Sequence, residues 1–217
     1  PAMGEALDAA RACYSAWFCP YPWKELRLSE FPGLQDYAQS FATNIAFSES
    51  IGFLSKPDQH VDLPFGLTAH ECAHQWWGVM VAPARRPGGQ VLSEGLANYS
   101  AALLFEQVKG PQQRMAFLQS LERRYCNTRD ADSEPALAKV MGTSAGERSV
   151  MYDKGGWVFY MLQELMGREA FLAGLHDYIR NYRGNPDHPD LQDFLRDLRT
   201  HAADPAAFDT FTRQWFY

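Results

Sequence analysis

Apolar side chains recur with mixed periods over the first sixty residues, then almost wholly every three or four positions from Asp62 onward. Ala6 to Phe18 reads as a helix ended by the Pro20 and Pro22 turn. Trp23 to Glu30 alternates as a strand does, with Leu26 and Leu28 on one side, and Thr43 to Phe53 holds a second β-like run before Pro57 and Asp58 break it. Asp62 is placed to cap a helix with Pro64 in its first turn, running through His70 toward Val79. Pro83 to Gly89 reads as a loop. The next helix starts near Ser93 and carries Leu96, Tyr99 and Leu103 on one stripe. Another runs from Pro111 to about Cys126, with Phe117, Leu118, Leu121 and Tyr125 at helical spacing. The polar stretch 127–138 reads as loop.

The last third repeats the helical pattern: Val158, Met161, Leu162 and Leu165, then Phe171, Leu175, Tyr178 and Tyr182. Leu191, Phe194, Leu195 and Leu198 follow, and finally Phe208, Phe211 and Trp215. These stripes read as core faces. The expected fold class is α+β and mainly α. A small N-terminal β-containing lobe (1–61) precedes a helical lobe (62–217), within one domain.

Composition supports a cored domain. The chain has 217 residues, 46% hydrophobic and 14% aromatic, with no low-complexity segment, which argues against intrinsic disorder. Twenty Lys and Arg stand against 26 Asp and Glu, a net charge of −6, and the cations are scattered. That argues against a nucleic-acid or anionic-membrane surface. No apolar run approaches the roughly 18 residues a membrane span needs; the longest, Gly155 to Met166, is interrupted by Gln163 and Glu164. The opening Pro-Ala-Met-Gly lacks a basic leader region, so the chain reads as a piece of a longer protein. Its compartment is left open, cytoplasmic or attached to a membrane protein. Four cysteines (Cys13, Cys19, Cys72, Cys126) are too few for a disulfide-stapled scaffold and read as buried free thiols, with a Cys13–Cys19 pair left open.

His70-Glu71-Cys72-Ala73-His74 carries the chemistry. Residues four apart on a helix project from one face, so both imidazoles can reach one zinc ion. Glu71 stands beside the pair, suited to act as a base instead of a ligand. With 6 His and 12 Glu, chance produces this pattern about 0.01 times per such chain. A catalytic zinc takes three protein ligands and keeps one position open. Glu94, at the start of the next amphipathic helix, is the third candidate, because a helix-loop-helix hairpin brings that turn back against the histidines. Asn98, one turn later, is placed to hydrogen-bond a ligand. Glu106 reads as a solvated face residue, and Cys72 faces the core. His60, His176, His188 and His201 have no partner at metal spacing.

The segments His70-Glu-x-x-His74-Gln-Trp-Trp-Gly and Leu-Ser-Glu94-Gly-Leu-Ala-Asn-Tyr resemble the gluzincin aminopeptidases typified by aminopeptidase N. Tyr152-Asp-Lys-Gly is similar to that family's Tyr-x-Lys-Gly segment, and the C-terminal helices ending in Gln214-Trp215-Phe216 to the end of its catalytic domain. The resemblance implies a thermolysin-like zinc metallopeptidase catalytic domain that acts on peptides. In it His70, His74 and Glu94 would hold one Zn²⁺, Glu71 would be the general base, and Tyr152 would stabilise the oxyanion. Two departures stand out. Nineteen residues separate His74 from Glu94, one more than usual in the family. The Gly-x-Met-Glu-Asn segment is replaced by Ala46-Phe47-Ser48-Glu49-Ser50, in which only Glu49 keeps register with the glutamate that binds the substrate's free α-amino group. The expectation is a zinc aminopeptidase. Rival readings are a thermolysin-type endopeptidase, a zinc-bearing scaffold domain of a larger membrane-associated protein, and a non-peptide zinc hydrolase.

Overall fold

The computed structural model describes residues 2–35, 37–51 and 61–217. His60, the Pro57–Asp58 break and the end of the second β-like run fall outside them. Helix α1 (Ala2–Trp17) buries Ala6, Ala10 and Tyr14 on one face. Strands β1 (Arg27–Phe31), β2 (Ala38–Phe41) and β3 (Asn44–Ser48) form a three-stranded sheet with β3 in the middle, parallel to β1 and antiparallel to β2. The strands are shorter than the alternation suggests. β3 has ladder partners only from Asn44 to Ser48, where β1 ends at Phe31, and β1 begins where Arg27 meets Asn44. β2 escapes detection in the sequence because Ala-Gln-Ser-Phe lacks the β-branched residues that mark strands.

The β2–β3 turn holds Thr43 at a φ of 64°, an uncommon conformation for a β-branched residue. Gln75, fully buried, secures it. The Gln75 Oε1 accepts from the Thr43 N–H at 3.0 Å, and Nε2 donates to Ser40 Oγ at 2.7 Å and to the Phe41 carbonyl at 2.8 Å. One amide thus fastens the sheet to the segment that follows the histidine helix.

That helix is α2 (Leu63–Ala73), capped as expected by Asp62, whose carboxylate accepts from the Phe65 N–H at 3.1 Å. It stops well before Val79. From His74 the chain winds into a turn around Gly78, whose φ of 128° suits glycine, and Gly78 N–H closes on the Val81 carbonyl at 2.9 Å. Helices α3 (Leu96–Lys109), α4 (Pro111–Thr128), α5 (Ala145–Ser149), α6 (Gly155–Met166), α7 (Arg168–Tyr182), α8 (Leu191–Arg199) and α9 (Pro205–Trp215) follow. Within the 127–138 stretch, α4 extends to Thr128 and a 3₁₀ turn starts at Leu137.

α2 packs between α1 and α3, and Trp76 and Trp77 just beyond it are almost fully buried. Truncating a buried aromatic of this size costs about 3–5 kcal/mol, against about 0.5–1.5 kcal/mol for an ordinary hydrogen bond. Packing therefore sets the frame and polar contacts set the register within it. Two such contacts are Tyr14 Oη to the Ala69 carbonyl at 3.2 Å and Trp77 Nε1 to Ser100 Oγ at 3.0 Å.

Further expectations change. Leu165 and Trp215, read on core-facing stripes, are exposed. Glu106 is not simply solvated; it is half-buried and pairs with Arg114 and Arg168. All four cysteines are free, so Cys13 and Cys19 are not bonded, and Cys126 is exposed instead of buried. Cys72 is in the core, and burial raises its thiol pKa far above the ordinary value.

Candidate metal centre

The chain enters α3 and α6 through one π-helical turn each, Val91–Gly95 and Val150–Lys154. Such widened turns concentrate at functional sites. One carries Glu94, the other Tyr152. The two helix starts meet at glycines: a Cβ on Gly155 would lie 3.3 Å from Gly95 Cα, and one on Gly156 would lie 2.8 Å from Asn98 Cβ. A side chain at Gly156 would clash with Asn98 and one at Gly155 would crowd Gly95, so these glycines let the two turns close together.

His70 and His74 project from one face of the end of α2, as their spacing requires, with Nε2 atoms 3.1 Å apart. Glu94 Oε2 lies 3.3 Å from His70 Nε2 and 3.1 Å from His74 Nε2. The ligand atoms of His70, Glu71 and His74 all fall within 4.8 Å of one another. Glu94, whose one oxygen contacts both Nε2 atoms, is the third ligand candidate, and Glu71, itself buried, stands beside the cluster.

The tautomers follow from the hydrogen bonds. A carbonyl only accepts, and Asn98 faces the Tyr152 carbonyl at 2.8 Å, so Asn98 presents Nδ2 there. Its Oδ1 consequently faces His70 Nδ1 at 2.8 Å, and that nitrogen must carry the hydrogen. His74 Nδ1 likewise donates to the Trp77 carbonyl at 3.0 Å, which also accepts from Ser93 Oγ at 3.1 Å. Both Nε2 atoms are thereby turned toward one carboxylate oxygen. Two imidazole nitrogens and one carboxylate oxygen converge on one point, an arrangement that a cation satisfies. Two imidazoles and one carboxylate are the donor set of a catalytic zinc site. The residues fit the ion.

Electrostatics agree in sign. Burial alone would lower the His74 pKa, but Glu94 and then Glu71 raise it to about 9. Burial would raise that of Glu94, yet His70 and His74 hold it well below the carboxylate range. The pocket is built to gather positive charge.

Tyr152 stacks on His70, ring centroids 5.9 Å apart and planes 12° from parallel. Burial first, then Glu94 and Glu71, push its phenol pKa far above the ordinary value, so it remains a hydrogen-bond donor. Its turn is anchored outward by two ion pairs, Lys154 Nζ to Glu134 Oε1 at 2.6 Å and Arg124 Nη2 to Asp153 Oδ1 at 2.6 Å. Sequence reasoning missed Glu134 and Arg124, because their partners lie far along the chain and no motif marks them. Glu49 follows β3 directly and is exposed. Among the described residues, His176 and His201 both contact Asp177, and His188 meets the Ala82 carbonyl, all in ordinary surface roles.

A mainly helical fold that aims two imidazoles and a carboxylate at one point, with a second glutamate and a phenol alongside, is that of a zinc-peptidase centre. The sequence profile of the "Peptidase family M1 domain" matches residues 5–215, and the chain belongs to that family. It is 26% identical over 206 residues to endoplasmic reticulum aminopeptidase 1 of Homo sapiens, covering 89% of this chain and 22% of that protein. To aminopeptidase M1-C of Oryza sativa it is 32% identical over 119 residues, 52% of this chain and 13% of that protein. The chain thus spans about a fifth or less of these relatives' length. An M1 zinc metallopeptidase from Deinococcus radiodurans shares the fold, with a TM-score of 0.70 at 22% identity, covering all of this chain and 43% of that one.

Proposed function

We propose that the protein is a zinc aminopeptidase that removes N-terminal residues from peptides, with His70, His74 and Glu94 holding the metal. The convergence of two imidazole nitrogens and one carboxylate oxygen beside Glu71 and Tyr152 carries this reading. Zinc bound there supplies Lewis acidity at the scissile carbonyl and lowers the pKa of water toward about 7. Glu71 removes a proton from the attacking water as the new C–O bond forms, then returns it to the departing amine as the C–N bond breaks. Tyr152 donates to the carbonyl oxygen as negative charge develops on it, an interaction stronger in the transition state than before it. Glu49 accepts the substrate's α-ammonium group, which favours a chain end over an internal residue. Its exposure after β3, in a sheet that Gln75 fastens to the segment just beyond His74, supports the role. Aminopeptidase relatives support the substrate class, and no helix among the described residues is long and apolar enough to cross a membrane.

The test is hydrolysis of aminoacyl-arylamides beside the same amides with an acetylated amine. Free amides should turn over and blocked ones should not. Glu71→Gln should retain zinc and lose activity by about 10²–10⁴-fold. Equal cleavage of blocked substrates would make the enzyme an endopeptidase. Zinc binding with no turnover of either substrate would indicate a scaffold.

A further inference from the structure

We propose that Asn98 is a positioning residue that locks the His70 ligand and the Tyr152 turn into one register; the inference rests on the zinc-peptidase reading above. Asn98 is 3% exposed, and its side chain makes two directed bonds. Oδ1 accepts from His70 Nδ1–H, and Nδ2 donates to the Tyr152 main-chain carbonyl, each at 2.8 Å. Both atoms belong to one planar amide, so neither bond can shift without the other. The amide is keyed as well. Turned over, it would set N–H₂ against an N–H and C=O against C=O, two repulsive contacts at a buried position. Its Cβ sits against Gly156, where a methyl group would approach to 2.8 Å, and this close packing restrains the side chain.

The consequence is geometric. His70 belongs to α2 and Tyr152 to the turn before α6, elements far apart in sequence that must agree within about 0.5 Å for a phenol to meet an oxygen held at the metal. Whereas Glu94 contacts the side chains of both, Asn98 joins the His70 ring to the Tyr152 main chain. It fixes the His70 tautomer for metal binding and sets the Tyr152 main chain for oxyanion contact, while touching neither metal nor substrate.

Two variants separate the two halves. Asn98→Asp keeps an acceptor for His70 but loses the donor for the Tyr152 carbonyl; Asn98→Ala loses both. Zinc affinity, measured by chelator competition, should fall about 10–100-fold in Asn98→Ala and stay within about threefold in Asn98→Asp. Amide hydrogen exchange across 150–154 should quicken in both variants. With zinc saturating, Asn98→Asp should lower kcat about tenfold at unchanged KM, and that loss should shrink below about twofold in a Tyr152→Phe background. Unchanged zinc affinity in Asn98→Ala, unchanged exchange in Asn98→Asp, or an equal kcat loss in both backgrounds would overturn the proposal. If the wild type hydrolyses no arylamide, the functional reading falls, while zinc affinity and amide exchange still decide the role of Asn98.

Discussion

A phenol beside two carboxylates would be a poor choice for a base and a good one for a donor. Burial and the nearby Glu94 and Glu71 keep Tyr152 protonated, so it can contribute only by donating to charge that appears during reaction. Tyr152→Phe should therefore lower kcat by about 10²–10³-fold and leave KM within about twofold, as measured by steady-state hydrolysis of an aminoacyl-arylamide. A rise in KM at constant kcat would mean that the residue binds substrate and transition state alike. At this scale much was legible in the sequence. The four-residue spacing of His70 and His74 fixes a shared helical face, and Glu94 lies where the next helix must return. Asn98 was legible as a neighbour of the ligands, because it sits one turn after Glu94. Its second partner was not, since the Tyr152 carbonyl is 54 residues away and a main-chain acceptor leaves no residue-specific signal.

The elements that carry Glu94 and Tyr152 are widened turns, and periodicity cannot reveal them, because one extra residue per turn disturbs the apolar stripe too little. Most helix positions from Asp62 onward, though not the exposed Leu165 and Trp215, were readable because amphipathic stripes follow burial. Strand ends were not, since pairing partners set them. The turn bearing Tyr152 depends on ion pairs with the end of α4 and the loop after it, and Glu134 is central to them. Burial raises the pKa of this carboxyl, but Lys154, then Tyr125 and Arg129, outweigh it and leave it below the ordinary value. A group with a depressed folded pKa contributes stability above its unfolded value of about 4.3, and that contribution is lost as pH falls through the folded value. The melting temperature of the wild type should thus exceed that of Glu134→Gln at pH 7, with the gap closing below about pH 4. A gap that stays constant from pH 7 to pH 3 would show that the pair does not stabilise the turn.

At the scale of the whole molecule, the metal centre joins the end of α2, the turn before α3 and, through Asn98, the turn before α6. Packing already holds these elements together, with α2 enclosed by α1 and α3. Zinc acts on that frame as a ligand specific to the folded state, worth about 2.7 kcal/mol when its free concentration is 100 times Kd. The α+β class was foreseeable from the change in period near Asp62, although α1, from the segment before it, packs against α2. The anchoring of the sheet through Gln75 was not foreseeable, because a buried glutamine looks like any polar residue until its partners are known. The account stands on three side chains sharing one ion, so the most direct measurement is zinc content per chain followed beside arylamide hydrolysis during chelator titration. Wild type should hold one zinc, and activity should fall in step with its removal. Glu94→Ala should lose both together. Full zinc occupancy and undiminished hydrolysis in Glu94→Ala would contradict the account.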